Sequence, residues 1–258
     1  MFKIISFSCL IFILTFFLCI FTSPIIFIEP QQIMLAFLSD EVRFATFLSI
    51  VTATCSTIAS LIICLPIAYA LSRYNFRGKS VIEGFLDTPM AVPPIALGIM
   101  LLIFFVRNPL GIFINEKVIK FVFEVPGIIL AQFTVLSPLA IKMLKEVFNS
   151  ISPRYEMIAR TLGYTELESF LYITLPATKN SILGVALLLW ARAIGEFGAT
   201  MMLAGATRLK TETMPIAIYL SLAAGDLVGV ATLSLILLLI SCGVQVIVRK
   251  LLQSGFAL

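Results

Sequence analysis

Residues 44–72 read FATFLSIVTATCSTIASLIICLPIAYALS, 29 positions without a charge between Arg43 and Arg73. A helix rising ~1.5 Å per residue needs about 20 apolar residues to cross ~30 Å of hydrocarbon, so this run can span a bilayer. The whole chain shares its character. Of 258 residues, 60% are hydrophobic and 12% are charged, against roughly 25% charged in an ordinary soluble domain. Mean hydropathy is +1.09. A soluble fold of this length cannot hide so much apolar surface. The composition excludes a cytosolic enzyme, a disordered chain and a disulfide scaffold, and defines an all-α integral membrane protein.

Further uncharged runs lie at 4–28, 88–106 and 227–248. The run from 125 is shorter, but Lys142 and Lys145 can snorkel and carry it to about 145. The run 180–204 is long enough but carries Arg192 and Glu196. Six transmembrane helices are expected. The first follows Lys3 like a signal peptide, yet its length and the lack of an A-x-A cleavage pattern favour a retained helix. Residues 213–225, too short to span, read as a re-entrant or interfacial helix on the outer face. Pro89, Pro93 and Pro94 should bend the third span, either as an ordinary kink or where the chain lines a pathway.

Orientation follows the positive-inside bias. With both termini cytoplasmic, eleven Lys and Arg fall inside, six fall outside, and Arg192 is intramembrane. No repeat or linker divides the chain. One membrane domain (42–248) follows an N-terminal span and outer loop (1–41) and precedes a cytoplasmic tail (249–258).

The chain has no His, which removes His-based acid/base catalysis, Ser-His hydrolysis and the usual His-ligated metal sites. Its five Cys are odd in number, lie in apolar runs and lack metal-type spacing, so they read as small buried hydrophobes. No metal site and no catalytic residue is expected. Gly78-Lys79-Ser80 resembles the end of a phosphate-binding loop, but Arg73 stands where its first glycine belongs and a membrane span precedes it.

The loop 150–178 carries helix punctuation. Ser152-Pro153 is a start signal, and Tyr155, Ile158, Ala159 and Leu162 recur at helical spacing. Glu156 and Arg160 stand i,i+4 on another face as an expected pair, and Gly163 fits a C-cap. Thr165 with Glu168 fits a capping box opening a second helix, with Leu167, Phe170, Leu171 and Thr174 on one side and Pro176 closing it. Two short capped helices joined at a glycine make a knob between two spans, either packed on its own domain or built to dock something.

These residues carry a resemblance. ARTLG at 159–163, followed by Ile173, Leu175 and Pro176, resembles the EAA loop of ABC-importer permeases. The departure is at the front, where Met157 and Ile158 occupy the first two EAA positions and Glu156 lies one place upstream. The runs DTPMAVPPIALG (87–98), WARAIGEFGATMMLAG (190–205) and KTETMPIAIYLSLAAGD (210–226) are similar to molybdate/tungstate permeases, with sulfate permeases as near relatives. The resemblance implies a type I ABC-importer permease fold with a cytoplasmic coupling-helix loop. It assigns Glu156, Ala159, Arg160, Gly163, Phe170, Leu175 and Pro176 to coupling with an ATPase. It also implies a second copy of the chain, two ATPase subunits that hold the ATP-Mg, and an external oxyanion-binding protein, in the cell membrane and without nucleic acid.

Pro93, Pro94, Arg192, Glu196 and Thr200 are the candidate pathway or gate residues. Charges at membrane depth cost about 2.5–3.5 kcal/mol each on insertion scales, so Arg192 and Glu196 should face the bundle, each other or water. Their pairing reads as a tie between two spans or as part of a gate. Small residues recur every four positions at Ala191, Gly195, Ala199 and at Ser221, Gly225, Gly229, which allows close helix approach. Outside, Arg208 and Lys210 stand where an anion or the binding protein would be met, or are simply solvated. The alternatives are a sulfate/thiosulfate ABC permease and, in another class, an ion-coupled secondary transporter. The latter would need paired inverted repeats and midplane acids, and would leave the knob unexplained.

Overall fold

The computed structural model describes residues 2–26 and 30–255, all helix and connection with no strand among them. Thirteen α-helices follow in order. They are α1 (Phe2–Ile26), α2 (Pro30–Phe37), α3 (Asp40–Arg73), α4 (Lys79–Ala91), α5 (Pro94–Arg107), α6 (Pro109–Lys117) and α7 (Val125–Asn149). Then come α8 (Arg154–Thr161), α9 (Glu166–Ser169), a π turn (Phe170–Thr174), α10 (Leu175–Ile194), α11 (Gly198–Ala204), α12 (Met214–Ala223) and α13 (Leu227–Gly255). Among the described residues, five helical runs are long and apolar enough to cross a membrane, and six if α4 and α5 count as one broken span.

The spine is α3 packed along α7, with α10 against both and α13 against α10. Ser39 starts α3: its hydroxyl accepts from the Val42 N–H at 3.3 Å, and Asp40 and Glu41 complement the helix dipole. Down α3, Ala45, Ser49, Ala53, Ser56, Ser60, Cys64 and Ala68 are all buried, spaced by three or four. This small-residue ridge lets the backbones approach closely without a hydrophobic driving force from lipid. Leu136, Ala140, Leu144 and Phe148 of α7 and Val185, Leu189 and Ala193 of α10 complete the core. The α1 helix packs on α13 with its central apolar stretch unburied, as a lipid-facing helix requires. Residues 27–28 at the end of the expected first run lie outside the described residues.

Several expectations change. The third span is no kinked rod: α4 and α5 meet at 106° across Val92 and Pro93. Pro94 also lacks an N–H, so the two prolines remove consecutive donors and restrict the backbone just before them. The fifth span, expected at 180–204, runs instead from Glu166 to Ile194, and α11 is a separate short helix. The last helix continues through 249–255 rather than leaving a tail at 249. The short helix expected within 213–225 forms as α12. Four Cys are exposed on apolar helices and only Cys64 is buried.

Candidate functional site

The knob forms from its punctuation. The Ser152 hydroxyl accepts from the Arg154 N–H at 3.4 Å at the start of α8. Gly163 ends it at φ +97° in a Schellman motif: its N–H donates to the Arg160 carbonyl and that of Tyr164 to Ala159. Thr165 and Glu168 make the capping box in both directions. Its hydrogen bonds from the Thr165 backbone and side chain hold the Glu168 carboxyl below its ordinary range.

Pro176 does not close the second helix. The Leu175 N–H reaches back five residues to Phe170, and this wider π turn carries the chain into α10 despite the missing proline donor. Pro176 sits in the first turn of α10, where a proline is tolerated.

Glu156 likewise departs from expectation, since it pairs with Arg73 rather than with Arg160. Its side chain turns inward, only the residue's last 8% exposed. It accepts from the Thr174 hydroxyl at 2.6 Å, the Tyr69 hydroxyl at 2.8 Å and Arg73 Nε at 2.9 Å. Burial pushes its carboxyl up, but these three hydrogen bonds and the Arg73 charge outweigh that and leave it below its ordinary range. Arg73 also donates to the Ile151 carbonyl at 3.2 Å and stacks over the Tyr69 ring. The Tyr69 ring in turn packs edge-on against Phe148 of α7 and Phe170 of the π turn. Tyr69 and Arg73 lie more than eighty positions from Glu156, so no local pattern announced them.

With Glu156 and Ala159 turned in, the opposite face of the knob is apolar and bare. Tyr155, Met157, Ile158, Leu167 and Tyr172 are exposed, and Leu162 is 74% exposed. So many exposed large apolar side chains on two short helices suit an interaction site. Among the other expected coupling residues, Arg160, Gly163 and Pro176 are exposed and Phe170 and Leu175 are half-buried.

The candidate pathway residues gather where two broken helices cross. The chain breaks at Val92–Pro93 before α5 and at Gly195–Phe197 before α11. A Cβ on Gly98 would lie 2.6 Å from the Ala199 carbonyl oxygen, and one on Gly198 would lie 2.8 Å from the Ile95 side chain and 3.3 Å from Pro94. Only glycine permits this approach. Arg192 Nη1 meets Glu196 Oε2 at 2.8 Å, and Glu196 Oε1 accepts from the Ala199 N–H at 3.0 Å. Glu196 therefore ties the end of α10 to the start of α11 and satisfies a donor that the break exposes. The guanidinium is about two-fifths exposed while the carboxylate is buried.

Gln132, which the sequence reading missed, completes the crossing. Its amide donates to the Ala193 carbonyl at 3.1 Å and to Thr52 Oγ1 at 3.4 Å. In lipid, backbone groups freed by a helix break must find protein partners. Among the described residues, Gln132 Oε1 and the fully buried Thr200 hydroxyl have no hydrogen-bond partner. The expected small-residue stripe 191–195–199 is interrupted by the break, and Gly98–Ala199 supplies the close approach instead.

Lys210 is bound to Glu124 at 2.7 Å. Arg208 lines a cavity of about 220 Å³ with Glu41, Glu212 and Asp226, where carboxylates outnumber cations and disfavour an anion. Among the described residues, no group of three or more His, Cys, Asp or Glu is placed to hold a metal.

A polytopic helical bundle with two interrupted helices at one crossing and an apolar knob at the turn between spans is the form of a membrane transport subunit. The chain belongs to the family of binding-protein-dependent transport system inner membrane components, whose pattern matches residues 62–253. It is 34% identical over 223 residues to a probable molybdenum ABC transporter permease of Haloferax volcanii, covering 86% of this chain and 80% of that one. It is 36% identical over 156 residues to the molybdate/tungstate transport system permease WtpB of Pyrococcus abyssi, covering 60% of this chain and 58% of that one. It therefore spans less than two thirds of the Pyrococcus relative. A bacterial ABC transporter involved in import of the acidic polysaccharide alginate has a chain that superposes with TM-score 0.71 at 15% identity, covering 96% of both. At that identity the likeness is one of fold, and the fold is that of a type I ABC-importer permease.

Proposed function

We propose that this chain is the permease subunit of an ATP-driven importer that passes molybdate or tungstate inward across the cell membrane by alternating access. The observation that carries the mechanism is the knob. It presents an apolar face outward and is fixed by Glu156 to the ends of two spans, which suits a part that another subunit pushes. The oxyanion follows from the relatives' substrates.

In this reading two copies form the pathway, with both termini cytoplasmic. Two ATPase subunits hold the ATP-Mg and seat the knobs, and an external binding protein delivers the anion. ATP-driven closure of the ATPase pair moves the knobs and opens the permeases outward, and hydrolysis returns them. Pro93, Pro94, Arg192, Glu196 and Thr200 serve as the gate, where two interrupted helices can shift against each other. Glu196 neutralises Arg192, so the crossing lets an oxyanion pass without trapping it. This chain contributes no covalent chemistry.

The test joins calorimetric titration of the binding protein with molybdate, tungstate and sulfate to uptake by the reconstituted complex. Tight molybdate or tungstate binding with ATP-dependent uptake that needs this chain is expected. Sulfate preference would move the substrate to the neighbouring branch, and uptake without any ATPase would end the proposal.

A further inference from the structure

One carboxylate joins three elements that must move together if the knob is to drive the membrane domain. Glu156 sits in α8, and its three partners are Arg73 and Tyr69 at the end of α3 and Thr174 in the π turn leading to α10. Around it, Ser72 donates to Asn149 at the end of α7 at 2.7 Å, and Tyr74 bonds Glu166 in the second knob helix. The Arg73 and Glu156 side chains are only 7% and 10% exposed. A buried pair held by further hydrogen bonds has one geometry, whereas an exposed pair slides among many.

Of the two backbone routes between knob and bundle, one enters α8 from α7 through residues 150–153 and the other leaves through the π turn, an irregular stretch of helix. The α3 helix offers a third path, reached through Glu156: its small-residue ridge fixes it along α7 and Gln132 links Thr52 to the Ala193 carbonyl just before the break. It thus runs from the knob to the helix crossing.

We propose that the Arg73–Glu156 pair is the joint through which the knob drives α3, making Arg73 a positioning residue for coupling. This rests on the reading of the knob as the ATPase contact. The experiment uses the permease reconstituted in proteoliposomes with its ATPase and binding protein, measuring oxyanion uptake and ATP hydrolysis in the same vesicles. With Arg73→Met the complex should assemble and hydrolyse ATP, while uptake per ATP falls about fivefold or more, the low end of ordinary coupling between sites. Arg73→Lys, and the swap Arg73→Glu with Glu156→Arg, should recover part of the loss, which a merely packed residue would not allow.

An unchanged uptake-to-ATP ratio in Arg73→Met would overturn the joint. If that variant does not assemble, hydrogen exchange on the unmodified complex decides: α8 and the end of α3 should change protection together when a non-hydrolysable nucleotide closes the ATPase pair. Change in α8 alone would equally overturn it. Leu162→Glu separates the parent reading, for if the ATPase still binds that variant, the knob is not its seat whatever Arg73 does.

Discussion

Single residues in this protein are decided by what the break of a helix leaves unsatisfied. Glu196, Gln132 and the paired glycines at 98 and 198 each answer a gap made by an interruption of the chain. Gly98 is the sharpest case. A branched side chain there must displace the Ala199 backbone, so Gly98→Val should destabilise the detergent-solubilised protein by about 1–3 kcal/mol, the usual cost of overpacking, read as a lowered Tm. An unchanged Tm would show that α5 and α11 yield at no cost. Glu156 gives a pH prediction. Its folded pKa lies below the ordinary glutamate value, so its stabilisation is present above that ordinary value and is lost as pH falls through the folded pKa. Tyr69, Arg73 and Thr174 face it across its three hydrogen bonds. Amide protection in α8, taken relative to the intrinsic exchange rate at each pH, should be high at neutral pH and fall under acid. Glu156→Gln should be looser at neutral pH and lose that acid response.

At the scale of elements, the knob is a case where local signals and tertiary contacts divide the work. The Schellman turn and capping box were legible because they rest on residues within five positions of each other. Gly163 is held at φ +97° with nothing within 4 Å of an added Cβ, so its role is conformational. Gly163→Pro forces a φ near −65° and should leave insertion intact while abolishing uptake under continuing hydrolysis, because the second knob helix loses its heading. Normal uptake in that variant would count against the knob as the transmission. The facing of α8 was not legible. Periodicity put Tyr155, Ile158, Ala159 and Leu162 on one stripe, and nothing in it said that Ala159 is buried with Glu156 while the other three are bare. Pro176 misled for a related reason: proline stops a regular α-helix, but one π turn absorbs the missing donor.

For the whole molecule, the membrane sets the outline and packing sets the working parts. The knob leaves Tyr155, Met157, Ile158, Leu162, Leu167 and Tyr172 exposed, and the proposed function gives them an ATPase as occupant. Leu162→Glu should therefore abolish assembly with the ATPase, costing about 2 kcal/mol or more as central contacts do, while the permease alone keeps its Tm. Retained assembly in a co-purification would locate the contact elsewhere.

The sequence by itself determined that the chain is a helical membrane protein, roughly where its five or six long apolar runs lie and that a capped knob joins two of them. Those features depend on apolar run length and on caps, which neighbours in sequence supply. Tertiary structure alone decided that the third crossing is broken at 106°, that α11 leaves the fifth, and that Glu156 belongs to Arg73. Each of these turns on partners that stand dozens of residues away. In a bilayer every freed backbone group and buried charge must find such a partner, and only the folded bundle determines which one is within reach.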